Sequence, residues 1–68
     1  MYKYYSHARP VAPGSFPKPE GNKVESIHNF NERQFVPGVG MAWGWVGYEK
    51  PLCDGDVIDY ELYPKLSD

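Results

Sequence analysis

The sequence is poor in the features that usually staple a small protein. It has one cysteine in 68 residues, Cys53, so no internal disulfide can form. Its two histidines, His7 and His28, show no paired Cys/His spacing of the kind structural zinc needs. No apolar run approaches the roughly 20 residues of a membrane span. The opening MYKYYSHARP lacks the apolar stretch of a secretory signal. A lone thiol is expected to stay reduced, which points to the cytoplasm. A basic excess is also missing. Residues 1–35 carry five Lys/Arg against three Glu, and residues 36–68 two Lys against six Asp/Glu, for a net charge of −2. That balance argues against direct nucleic-acid binding, and it is too mild for an inhibitor that mimics nucleic-acid charge.

Catalytic motifs are equally scarce. There is no P-loop and no G-x-S-x-G. Cys53, His7 and His28 have no spacing that suggests a thiol–imidazole pair. The acidic run DGDVIDYE (54–61) puts its glycine second and has no glutamate at a twelfth position, so it is not a calcium loop. No enzyme activity, cofactor or metal is expected.

What is abundant is aromatic and proline: eleven aromatic residues and seven prolines. A chain of about this length buries only some 60% of the surface its unfolded form exposes, so large rings must supply much of its core. Prolines lower the entropy of the unfolded chain where the native backbone suits them. Four of the seven fall in RPVAPGSFPKPEGN (9–22), which predicts an extended arm lying across the domain with Phe16 tucked in. Its P-x-x-P step lacks the flanking base of an SH3 ligand, so a structural role is preferred.

The remaining segments predict a sheet. YKYYS (2–6) reads as a short strand with Tyr2 and Tyr4 on one side. KVESIHNFN (23–31) is ambiguous in period, and a strand with an irregularity is preferred. RQFVPGVGMAWGWVGYE (33–49) reads as a hairpin whose Pro37-Gly38 suits a type II turn. A short helix is expected over 54–62, capped by Asp54 and stopped by Pro64. Val57, Ile58, Glu61 and Leu62 would share one of its faces. The expected fold is therefore α+β: three to four antiparallel strands, a proline-rich arm and one short C-terminal helix.

The candidate binding residues follow from this layout. Trp43 and Trp45 alternate onto one face of the AWGWVGYE strand, with Ala42, Gly44, Val46 and Tyr48 on the other. At least one indole is expected in the core with Phe16, Phe30 or Phe35, because so small a chain has little else to bury. Whichever of Trp43, Trp45 and Tyr48 the fold leaves uncovered is the expected contact surface. Arg9 and Arg33, the two arginines, would pair with the acidic half or touch a partner.

Several stretches taken in order, R-P (9–10), F-P-K-P (16–19), N-F (29–30), A-W-G (42–44) and Y-E-L (60–62), carry a likeness. Over about residues 4–62 the chain resembles small proteins encoded on integrative elements and phage-like islands of gut Firmicutes. Some of these bear a domain named for the C-terminal part of a phage defence-against-restriction A protein. The resemblance implies an accessory protein-interaction module of a mobile element, linked to protection against host restriction. It offers no catalytic residue. One departure is local: the family pattern before A-W-G is charged and suits a helix, whereas VPGVGM here predicts a turn. A structural domain working as a homo-oligomer and an inhibitor of a host defence protein are the alternative readings.

Overall fold

A computed structural model describes residues 1–63. Strand β1 (Tyr2–Ser6), strand β2 (Val24–Val36) and strand β3 (Gly40–Tyr48) form one antiparallel sheet in the order β1-β3-β2. One helix among the described residues, α1 (Asp54–Asp59), follows. The AWGWVGY segment is thus the central strand, paired on both sides.

The turn that joins β2 to β3 is the one its sequence demands. Pro37 presets φ at the second position, and Gly38 takes φ +80° at the third, where a side chain would be strained. The Val39 N–H closes the turn on the Val36 carbonyl at 3.0 Å. So VPGV is a turn and not helical. The same chemistry closes Ala12–Ser15, where Gly14 has φ +87° and the Ser15 N–H reaches the Ala12 carbonyl at 2.9 Å.

Strand β2 runs further than expected. The segment 23–31 and the first arm of the predicted 33–49 hairpin are one 13-residue strand. Two irregularities interrupt its ladder, between Val24 and Ser26 and between Asn29 and Gln34. At the second, Asn29 pairs with Gly44 and Gln34 with Ala42, so residues 30–33 stand against Trp43 alone. Asn31 there has φ +68°, and its N–H is accepted by Asn29 Oδ1 at 2.9 Å. Extra residues of this kind bend an edge strand and spoil it as a template.

One side of the sheet is covered. Tyr4, Val46 and Tyr48 from the strands join Val11, Phe16, Leu52, Val57 and Leu62 in a single buried cluster. Tyr4 and Tyr48 meet edge to face at 5.9 Å, a favourable ring geometry. The residues between β1 and β2 lie in neither strand nor helix, yet Val11, Phe16 and Pro17 are buried. Backbone carbonyls in this stretch still need donors, and side chains of the sheet supply them. Tyr48 Oη donates to the Pro17 carbonyl at 2.5 Å, and Asn29 Nδ2 to the Val11 carbonyl at 2.8 Å.

Asn22 fixes the far end of the same stretch. Its Nδ2 donates to the Lys50 carbonyl and its Oδ1 accepts the Lys50 N–H, both at 2.8 Å. Replacing Asn22 with alanine removes both bonds at an exposed site, which costs about 1–2 kcal/mol. A urea titration of the variant checks this. An unchanged midpoint would show that the clamp contributes nothing.

The helix is shorter than the expected 54–62. Cys53, not Asp54, occupies the N-cap position, and no side chain caps it. Its end is a Schellman motif. Glu61 sits in the left-handed region at φ +55°, and the Leu62 N–H reaches back to the Val57 carbonyl at 2.9 Å. Val57 and Leu62 then meet in the core, while Ile58, expected on the same face, is 73% exposed. Pro64, expected to stop the helix, lies outside the described residues.

Residues 61–63 finish along the outer edge of β1. Ser6 and Leu62 form an isolated antiparallel bridge, and the Tyr63 N–H donates to the Tyr5 carbonyl at 2.8 Å. This is a bridge and not a fourth strand: the sheet has three.

Candidate interaction face

Alternation and register decide what lies on the uncovered side. Partners across an antiparallel pair share a face. Trp45 pairs with Tyr5 and His28, Gly47 with Lys3 and Ser26, and Met41 with Phe35. These residues and Trp43 therefore share the side opposite Ala42, Gly44, Val46 and Tyr48. Among the described residues no strand or helix packs on it, and only the Met1 side chain lies over its Gly47 end. Trp43 and Trp45 are half-buried, Met41 is exposed, and Phe35 is 68% exposed.

The expectation of a core indole is thereby corrected. Neither Trp43 nor Trp45 belongs to the buried cluster, nor do Phe30 and Phe35. The reason is volume. Gly44 leaves room on its side for Val11, which lies against it, and Tyr4, Tyr48, Phe16 and Val57 fill the same cluster. Two indoles on the other side admit no such cover.

The open face is internally ordered. The Trp45 ring lies between two neighbours from different strands. Lys3 Nζ from β1 stands 4.4 Å from its centroid, a cation–π contact. The His28 imidazole from β2 stacks on it at 5.9 Å with an interplanar angle of 15°. Phe30 then meets His28 edge to face at 5.2 Å. A ladder of Lys3, Trp45, His28 and Phe30 thus crosses all three strands. Sequence reasoning missed Lys3, His28, Phe35 and Met41 as members of this face. The signal was available in period-two alternation, once the pairing of β3 with both other strands is known.

The other candidates fall elsewhere. Tyr48 is wholly buried on the covered side, donating to Pro17, so it offers no contact surface. Burial pushes its phenol well up from the ordinary value near 10, with the Asp56 carboxylate second. Arg9 is held by an ion pair with Glu61, both half-exposed, beyond the end of β1. Arg33 is exposed in the irregular stretch opposite Trp43. The structure brings Trp43 and Trp45 together, sets Arg33 near them in the register, and separates Tyr48 and Arg9 from them.

Among the described residues no group of three or more His, Cys, Asp or Glu side chains could hold a metal ion. Among the described residues no helix is long and apolar enough to cross a membrane. No curated protein and no solved structure matches the chain. One family model does, over residues 1–67, and its description is defence against restriction A C-terminal. A match over nearly the whole chain settles its family: the chain is a member of the defence against restriction A C-terminal domains.

Proposed function

We propose that this chain is a non-enzymatic docking module, acting by protein–protein contact in the protection of a mobile element's DNA against restriction. The observation that carries the reading is the uncovered aromatic side of the sheet. Small proteins rarely leave several large rings on one open face without a use for them, and tryptophan is enriched at the centre of protein interfaces. The family description supports the process, and the open aromatic face supports the mode. Nucleic acid is disfavoured as the direct ligand, because the chain has no basic excess and a net charge of −2.

The test uses unmodified phage or plasmid DNA entering a restriction-proficient host, with the gene supplied intact or as the Trp43→Ala, Trp45→Ala double variant. Both indoles lie outside the buried cluster, so the variant is expected to fold, which circular dichroism checks. Recovery of the DNA should fall to the level seen without the gene. Full protection by a folded double variant would overturn the proposal.

A further inference from the structure

We infer that the two methionines of the chain, Met1 and Met41, are oxidation sites through which peroxide switches the open face off. The inference rests on the docking role proposed above and adds a control to it. The placement of the two thioethers is selective. The buried cluster holds neither, and both lie on the uncovered side of the sheet. Met41 pairs with Phe35 and stands two positions from Trp43, so it sits among the apolar residues at the hairpin end. Met1 lies at the other end. A Cβ added to Gly47 would run into Met1 Sδ, and Trp45 Cζ3 is 3.4 Å from the same point. The Met1 side chain therefore fills the space that Gly47 leaves beside the Trp45 ring.

Both side chains are open to a dissolved oxidant: Met1 is 53% exposed and Met41 37%. The thioether sulfur takes one oxygen from hydrogen peroxide through its lone pair. An S–O bond forms and the O–O bond breaks. The proton on the transferred oxygen passes to the leaving hydroxide, and water departs. Sulfur is oxidised and peroxide reduced. The product is a polar sulfoxide, which a sulfoxide reductase returns to the thioether with a thiol as reductant. At Met41 the new oxygen falls beside Phe35 and Trp43, and a partner covering it would have to strip its water. At Met1 the polar group no longer suits the space beside Trp45. Neither change reaches the core, so oxidation alters the surface and leaves the fold.

Cys53 is also exposed, so the test carries Cys53→Ser throughout and leaves methionine as the oxidisable sulfur. Hydrogen peroxide should add one oxygen at Met1 and one at Met41, read by peptide mass spectrometry. Circular dichroism and the urea midpoint should not change, while tryptophan emission should shift as Met1 leaves Trp45. A sulfoxide reductase with dithiothreitol should reverse all of it. In the DNA-entry assay, Met41→Gln sets a polar group on the face without oxidant. It should lower protection about tenfold, as loss of a central interface anchor does. In a host without sulfoxide reductases, peroxide should lower protection relative to cells lacking the gene. That fall should vanish in Met41→Leu, whatever its own level of protection. Methionines that resist peroxide in the folded chain, a fold lost on oxidation, or an equal fall in Met41→Leu each overturn the inference. Full protection by a folded Met41→Gln, beside loss in the tryptophan double variant, overturns this control alone and leaves the docking role standing.

Discussion

Replacing Gly44 with alanine lowers the free energy of unfolding by about 3 kcal/mol, the upper end of what an unaccommodated methyl costs in a packed interior. A Cβ at this position runs into the His28 carbonyl oxygen, and it also comes within 3.0 Å of Val11 Cγ2 and 3.1 Å of Asn29 Cα. Two of these three obstacles are backbone of β2, which cannot rotate away as a side chain would. Relief requires β2 to move off β3 where Asn29 pairs with Gly44. Asn29 also holds the Val11 carbonyl and the Asn31 N–H, so the displacement disturbs the cover of the core and the irregularity together. A domain of this length has roughly 3–10 kcal/mol in total, and the variant is expected to be partly unfolded at 37 °C. Gly55→Ala is the control. Nothing lies within 4 Å of a Cβ there, and alanine in a helix is favoured over glycine by up to about 1 kcal/mol. Urea midpoints should move in opposite directions for the two variants. A Gly44→Ala midpoint equal to wild type would refute the close-approach account.

Tyr48→Ala has the other large effect, about 4 kcal/mol, because it empties a fully buried ring site in a core with few other rings. Tyr48→Phe separates the hydroxyl from the ring. It keeps the edge-to-face contact with Tyr4 but leaves the Pro17 carbonyl without its donor, at a cost of about 1–2 kcal/mol. The phenol also gives the protein an alkaline limit. Its folded value is raised by burial, while in the unfolded chain it titrates near the ordinary 10. The contribution is therefore complete below about pH 10. Above that the unfolded chain releases a proton that the folded chain retains, so stability falls by about 1.4 kcal/mol per pH unit. Urea titrations from about pH 9 to 11 should show wild-type stability turning downward above about pH 10, and this turn should be lost in Tyr48→Phe. Equal slopes in the two proteins would exclude Tyr48 as the group responsible.

Much of the sheet is legible wherever one local rule is strong. YKYYS alternates, and β1 buries Tyr4 as alternation requires. Pro37-Gly38 fixes the turn, and Phe16 is buried as expected. The rules fail where the decision is made at a distance. Alternation places Trp43 and Trp45 on one face of β3, but it cannot say which face is covered. That depends on Val11 and Phe16 arriving from a segment without regular structure, and on Tyr4 from the opposite strand. The end of α1 was hidden for a different reason. A left-handed residue after a helix is usually glycine, and here it is Glu61. Arg9 and Glu61 meet because the stretch after α1 returns to β1, which no spacing between them reveals. Tyr48 was a candidate for contact because aromatic residues suit both cores and interfaces, and its burial beneath the segment of Val11 and Phe16, with its hydroxyl on the Pro17 carbonyl, is decided at a distance.

The strand order carries a consequence in time. The centre of the sheet, β3, is the last strand in the chain, and β1 is the first. Nothing made before residues 44–48 can pair with β1, so the tyrosine-rich strand waits without a partner while the chain grows. The local unit is the β2–β3 hairpin, and hairpins close in roughly 1–10 μs. The bonds that fasten β1 are remote: the Leu52 N–H to Tyr4 Oη link spans 48 positions. Bringing such distant segments together costs entropy before any contact rewards it. Docking of β1 is thus the late event in folding. Substitutions in the VPGV turn should mainly slow folding, and substitutions in β1 should mainly hasten unfolding.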